Sequence, residues 1–431
     1  MTETIFALSS GAPPAGIAVI RISGQQAGAA LAALAGRCPQ PRRAVLAALC
    51  KAGGEPLDRA LVLWLPGPGT ATGEDCAELH LHGGRAVVAA VETALGALPG
   101  LRKAEPGEFT RRAFANGRID LAEAEGLADL LSAETELQRR AALALADGAL
   151  SRQVASWRSR LLALSAALEA ALDFAGDDDI DEQAGSLPPG FNGACAGLAE
   201  DLAAWLARPR AEPLREGFRV VLAGPPNAGK STLFNALVED EAAITAAEPG
   251  TTRDVLQRAV ALGGVPFTFV DTAGLRDEGA GAVEQIGIAR ARAEAARADL
   301  VLWLGPEGDG PNGGEVWEIA AQCDRADVAV KRGAPFRLSA FTGEGVDALR
   351  AALIEKAGLA MPGPGEVALN ARQHSLLSEV AQAVAEGARQ GDPLLAAEGL
   401  RLARVALDRL VGRTGVEDML DALFGRFCIG K

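Results

Sequence analysis

The chain has no run of eighteen or more apolar residues, and no charged N-terminal region followed by a short apolar one. The first absence argues against a membrane-spanning helix and the second against a secretory signal. A soluble, cytoplasmic protein with no membrane partner is therefore expected. Six cysteines, at 38, 50, 76, 195, 323 and 428, include no Cys-x-x-Cys pair. Free thiols in a reducing compartment are the simple reading. His80 and His82 stand close together, but no cysteine or carboxylate cluster accompanies them at ligand spacing, so no metal site is expected there. The net charge of −14 leaves no broad basic footprint for coating nucleic acid. Local clusters remain: Arg111, Arg112 and Arg118, and a helical set of Arg401, Arg404, Arg409 and Arg413. For the helical set, a solvated helix face and an RNA contact are both open.

What is present is more specific. Residues 224–231, Gly-Pro-Pro-Asn-Ala-Gly-Lys-Ser, fit the phosphate-loop pattern G-x-x-x-x-G-K-[ST]. An apolar segment, 219–223, reads as a buried strand before them, and 232–237 reads as the start of a helix. Backbone N–H groups of such a loop curl around phosphate oxygens, and the helix N-terminus adds positive potential. Asn227, Ala228, Gly229, Lys230, Ser231 and Thr232 should line a nucleoside triphosphate, with Lys230 on the β/γ-phosphates and Ser231 on Mg²⁺.

Downstream, Gly250-Thr251-Thr252 and Asp271-Thr272-Ala273-Gly274 have the order of the switch segments of a GTPase. Thr252 would complete the Mg²⁺ shell, while Asp271 brings a carboxylate near the metal. A hairpin is expected at Gly263-Gly264. One part is missing. Guanine is usually read by Asn-Lys-x-Asp, and the best candidate here is Ala321-Gln322-Cys323-Asp324, which keeps only the aspartate. Asp324 is either the guanine reader or a solvated loop carboxylate. Ser339-Ala340, followed by Thr342-Gly343-Glu344-Gly345, resembles the last guanine-side loop.

At 431 residues and 49% hydrophobic content, the chain should hold about three domains. Short strands are expected near Ile17–Ile22, Ala60–Leu65 and Glu78–His82. Ile119 to Leu172 reads as a long helical arm, with Gly126 and Gly148 as its breaks and Leu121, Leu127, Leu130, Leu131, Leu137 and Leu143 near helical spacing. An acidic turn at 177–182 and a helix to about Arg208 follow. Helix returns from Asn370 to Phe427, broken at Gly391-Asp392-Pro393. Neither helical block buries its face alone, so the two should pack together with the nucleotide domain inserted between them.

From end to end the chain resembles the MnmE (TrmE) family of tRNA-modification GTPases. The residues that carry the likeness are Arg21-Ile22-Ser23-Gly24, Gly73-Glu74-Asp75 through His82-Gly83-Gly84, and 105–114 (Glu-Pro-Gly-Glu-Phe-Thr-Arg-Arg-Ala-Phe). Further matches are Asp271-Thr272-Ala273-Gly274-Leu275-Arg276, 283–288 (Val-Glu-Gln-Ile-Gly-Ile), and 427–431 (Phe-Cys-Ile-Gly-Lys). The resemblance implies an α+β N-terminal folate-binding and dimerisation domain (1–118), an α-helical domain in two parts (119–214 and 359–431), and an inserted α/β P-loop GTPase domain (215–358).

It also implies a homodimer working with an FAD-containing flavoprotein, MnmG (GidA), in a heterotetramer or larger assembly. Together they would add a carboxymethylaminomethyl group to C5 of the wobble uridine of certain tRNAs. By motif match, K⁺ would be held by Asn227, Ala246, Glu248 and Thr251, and Mg²⁺ by Ser231 and Thr252. Glu284 would orient the attacking water. Arg21, Glu78, Arg118 and Lys431 would hold 5-formyl- or 5,10-methylene-tetrahydrofolate; the family usually has Lys where Arg118 stands. Cys428 has no role assigned. A ribosome-assembly-type GTPase and a nucleotide-gated scaffold are the alternatives. The first would lack the Pro-Gly-Glu-Phe segment, and the decayed Ala-Gln-Cys-Asp favours the second.

Overall fold

The computed structural model describes residues 3–174, 186–238, 256–272, 293–311, 314–325, 331–363, 365–389, 391–414, 420, 423–425, 427, 429 and 430. The chain divides into two compact units, Met1–Ala128 with Leu407–Lys431, and Asp129–Ala406.

In the first unit, strands β1 (Thr4–Leu8), β2 (Ile17–Ser23), β3 (Val45–Cys50), β4 (Pro56–Leu65), β5 (Cys76–His82) and β6 (Leu101–Lys103) form one sheet in the order β3-β4-β5-β2-β1-β6. Only the β1–β6 pairing is parallel. Strand residues alternate faces. Ala18, Ile20 and Ile22 of β2, with Ala77, Leu79 and Leu81 of β5, therefore pack in one core with Leu31, Leu34, Val91 and Leu95 of helices Ala27–Ala35 and Arg85–Gly96. Arg21, Glu78 and His80 fall on the other face, half-buried rather than in that core.

Two glycines allow the C-terminal residues to lie against this unit. Gly107 has φ 68° and Gly430 φ 97°, where only glycine is at ease. A Cβ at either would collide with backbone carbonyl oxygen, of Phe424 and Leu8 respectively. Ile429 bridges Pro106, while Phe424 and Phe427 are buried against Ala124. Residues from Leu407 onward thus belong to the first unit's compact body, although they were expected as the end of the helical domain.

In the second unit, β7 (Phe218–Ala223), β8 (Leu256–Leu262), β9 (Val265–Asp271), β10 (Leu300–Trp303), β11 (Val316–Ala320) and β12 (Phe336–Arg337) make a sheet ordered β12-β11-β10-β7-β9-β8. All pairings are parallel except the β8–β9 hairpin, which turns at Gly263-Gly264 as expected. Leu233, Phe234 and Leu237 of helix Lys230–Val238 pack on Val220, Leu222, Phe267 and Phe269. Ala141, with Leu137 beside it, joins that core from helix Glu136–Ala146. Helices Phe191–Leu206 and Ala371–Arg389 pack on each other, and Trp157 of helix Ala149–Phe174 meets Trp205 edge-on at 5.5 Å. The expected mutual packing of the two helical blocks holds in that pair.

The single long arm expected over 119–172 is instead three helices, Leu121–Ser132, Glu136–Ala146 and Ala149–Phe174. Gly148 does mark a break, whereas Gly126 lies buried inside the first helix. The other break is made by Thr135. Its hydroxyl accepts from Gln138 N–H while the Gln138 side chain accepts from Thr135 N–H, a reciprocal cap that starts a new helix. Leu131 and Leu143 are exposed rather than core. No helix among the described residues is long and apolar enough to cross a membrane.

Candidate nucleotide and folate sites

In a parallel sheet, loops leaving the carboxyl ends of the strands converge on one edge, where ligands bind. The phosphate loop leaves β7 there and runs straight into helix Lys230–Val238. Lys230 is buried within the loop, its Nζ donating to Gly224 O (3.0 Å) and Pro225 O (2.8 Å). A cation so enclosed, beside a helix N-terminus, is a strong attractor for phosphate.

Asp271 ends β9 in register with Leu222 of β7, and is fully buried. The Ser231 hydroxyl donates to Asp271 Oδ2 at 2.7 Å. Thr272 Oγ1 donates to Leu222 O (2.8 Å), which ties the end of β9 to the strand that carries the loop. Asn227, Ser231 and Thr232 are exposed at the loop surface, and Ala228 and Gly229 are half-buried. The strand order thus brings together Lys230, Ser231, Asp271 and Thr272 from segments about forty residues apart.

The guanine-side segments lie together as well. Cys323 N donates to Leu338 O (3.1 Å) and Leu338 N to Ala320 O (2.9 Å), so the loop after β11 runs beside the one after β12. Asp324 is exposed. Ser339 is fully buried, its hydroxyl accepting from Thr342 N–H (3.2 Å), and Ala340 is half-buried. Gln322, a departure from the usual motif in the sequence, has a partner here: its Nε2 donates to Asn227 O at 3.1 Å. Ala246, Glu248, Gly250, Thr251, Thr252, Ala273, Gly274 and Glu284 lie outside the described residues, as do Cys428 and Lys431.

In the first unit, β2–β5 pairing sets Arg21 opposite Glu78. Arg21 Nε and Nη2 donate to Glu78 Oε1 at 3.2 and 3.1 Å, and His80 Nε2 lies 3.2 Å from Glu78 Oε2. The Arg21 guanidinium also stands 5.9 Å from the Phe109 ring centre. Arg21 and Glu78 therefore stand together at one spot on the sheet. Arg118 is exposed, its side chain close to the Gly73 turn that leads into β5.

Arg112, expected in a basic surface cluster, is buried and structural. It donates to Glu74 Oε2 (2.9 Å), Glu108 Oε1 (3.0 Å) and Glu3 O (2.8 Å). Glu74 in turn accepts from Ser23 Oγ at 2.8 Å, and Glu108 accepts from Arg102 at 2.6 and 2.8 Å. Burial pushes the Glu108 carboxyl up, but hydrogen bonds from Arg102, Glu105 N–H and Arg112 outweigh it and hold the group at about 2. This network fixes helix Glu108–Ala115, which carries Phe109, against the sheet. In the helical basic set, Arg401 is paired with Glu398 at 2.7 Å. His82 pairs with Asp58, and no group of three metal-ligating side chains occurs among the described residues.

Two family models match the chain: the N-terminus of the GTP-binding protein TrmE over residues 4–118, and the MnmE helical domain over residues 121–428. The tRNA modification GTPase MnmE of Novosphingobium aromaticivorans is 71% identical over the whole of both chains. Those of Erythrobacter litoralis and Zymomonas mobilis are 63% and 50% identical, again over the whole of both chains. With a family model spanning most of its length and such relatives matching from end to end, the chain belongs to the MnmE family of tRNA-modification GTPases.

Proposed function

We propose that this chain hydrolyses GTP in the service of tRNA wobble-uridine modification. It does so as a cytoplasmic homodimer with an FAD-containing MnmG/GidA flavoprotein, adding a carboxymethylaminomethyl group at C5 of the uridine. The observation that carries the reading is the convergence of Lys230, Ser231 and Asp271 at the ends of β7 and β9 in a chain of this family.

The residues present suit the expected ions. Ser231 and Asp271 offer a hydroxyl and a carboxylate oxygen 2.7 Å apart, hard donors of the kind Mg²⁺ takes, with Thr252 as a further ligand. Asn227, exposed on the loop, offers a neutral amide oxygen to K⁺, joined by Ala246, Glu248 and Thr251. Bound there, the two ions would offset charge that builds on the transferring phosphoryl group. The chain's own part is to grip the phosphates with loop N–H groups and Lys230, to read guanine through Asp324 and the Ser339-Ala340 loop, and to orient water through Glu284.

The folate fits the first unit. Each Glu78 oxygen retains acceptor capacity beyond Arg21 and His80, enough to take the paired N–H donors of a pterin. Arg118 and Lys431 suit its carboxylate tail. By function the chain divides at 1–118, 119–214, 215–358 and 359–431.

The test is the profile of wobble-uridine nucleosides in a deletion strain. Loss of the C5-modified nucleosides, restored by the wild-type chain and not by Glu284→Ala, is expected. An unchanged profile accompanied by a ribosome-assembly defect would assign the chain to that other GTPase class.

A further inference from the structure

Among the described residues, only Arg42, Asn227 and Gln322 are non-glycines with φ between +20° and +160°, at 60°, 62° and 58°. Two of these three are joined by one hydrogen bond, Gln322 Nε2 to Asn227 O at 3.1 Å. Left-handed backbone at a residue with a Cβ is unfavourable, and persists where surrounding contacts over-determine it; such residues gather at ligand clamps and switches. The surroundings here are specific. Gln322 starts a turn closed by Arg325 N–H on its own carbonyl at 3.0 Å, and its side chain crosses to the phosphate loop over Gly229. A Cβ at Gly229 would come within 3.3 Å of that amide nitrogen. The two partners stand 95 positions apart in the chain, so the contact joins distant segments.

We propose that Gln322 is a positioning residue that latches the base-side loop to the phosphate loop. It holds the Asn227 peptide in the conformation that receives the phosphates, and so sets the rate of nucleotide release. The inference rests on the nucleotide reading above and extends it. Gln322 stands where the usual guanine motif has a lysine. Its amide is too short and too polar to cover a base as a lysine stem does, but it keeps a donor pointed at the neighbouring loop. The latch acts on the phosphate side, so it governs affinity for any phosphate ligand alike, while base preference rests with Asp324.

The experiment follows displacement of fluorescent GDP by stopped flow in the full chain, and competition by inorganic pyrophosphate with Mg²⁺. Gln322→Met keeps the length and removes the donor; Gln322→Gly removes the donor and relieves the backbone; Gln322→Lys supplies a new donor. Release should quicken about three- to tenfold in the Met and Gly variants, as expected for one lost neutral hydrogen bond. The inhibition constant of pyrophosphate should rise by a similar factor, and the Lys variant should return both toward wild type. The proposal is overturned if the Met and Gly variants release GDP at the wild-type rate. It is equally overturned if release quickens while pyrophosphate binding is untouched, since the side chain would then act on the base alone. A wild-type chain that bound no GDP would sink the nucleotide reading itself, a different failure.

Discussion

The Ser231 hydroxyl donates a 2.7 Å hydrogen bond to the carboxylate of Asp271, a side chain with no exposed surface at the end of the neighbouring strand. A buried carboxylate is costly unless hydrogen-bonded or placed beside a cation. The pair sets one oxygen from the first turn of a helix beside one from a strand end, the donors that the proposed Mg²⁺ site would use.

From this pair follows a Mg²⁺-specific loss. Ser231→Ala should weaken GDP binding roughly ten- to a hundredfold in Mg²⁺, the cost of a missing contact to a charged partner. In excess chelator the variant and wild type should bind alike. Titrating Mg²⁺ against fluorescent nucleotide measures both, and an equal deficit with and without Mg²⁺ would show that Ser231 serves only the fold.

Base preference should rest on Asp324, which is exposed at the loop edge beside the Ser339-Ala340 segment. A carboxylate accepting two N–H bonds from guanine contributes about 1.5–3 kcal/mol for each. Asp324→Asn should erase the preference for GTP over ATP or turn it toward xanthine nucleotides. Competition binding with the three triphosphates decides this, and a fully retained GTP preference would move guanine reading elsewhere.

Much of this is legible in the sequence. The phosphate loop, the Gly263-Gly264 hairpin and the Asp271 strand end are local patterns whose residue types are demanded by backbone geometry. Arg21 and Glu78 stand out only through the family's motifs, and their pairing across β2 and β5 is a contact between distant segments. What stayed hidden depends on contacts between distant segments. Arg112 reads as surface charge because two of its three partners, Glu74 and Glu3, lie 38 and 109 residues away. The helix break at Thr135 is hidden in the sequence because a Thr-x-x-Gln cap has no glycine or proline to announce it. Gln322 looked like decay of a motif, since its partner on the phosphate loop is invisible in one dimension.

Acid sensitivity of the first unit should trace partly to Glu108. Its carboxyl ionises at about 2 in the fold, well below its ordinary 4.5. A lowered folded-state value contributes stability above the unfolded-state value and loses it as pH falls through the folded one. Between pH 4.5 and 2 the wild-type unfolding midpoint should therefore fall more steeply than that of Glu108→Gln, which starts lower and has no such proton to take up. Parallel denaturant titrations across that range test it; identical slopes would contradict the assignment.

Folate binding should separate from GTP hydrolysis. Glu78→Ala, and removal of residues 428–431, should each weaken 5-formyl-tetrahydrofolate binding or tRNA modification while leaving hydrolysis near normal. Calorimetry with the folate settles it, and undiminished binding in both variants would place the pocket on other residues.

K⁺-dependent GTP hydrolysis is tested most directly by steady-state GTP turnover of the purified chain in K⁺ against Na⁺, with Glu284→Ala alongside. Turnover should require K⁺ and fall by ~10²-fold or more in the variant, the usual scale for losing a group that handles the attacking water, while nucleotide binding survives. Equal rates in the two salts, or an unimpaired Glu284→Ala, would contradict it.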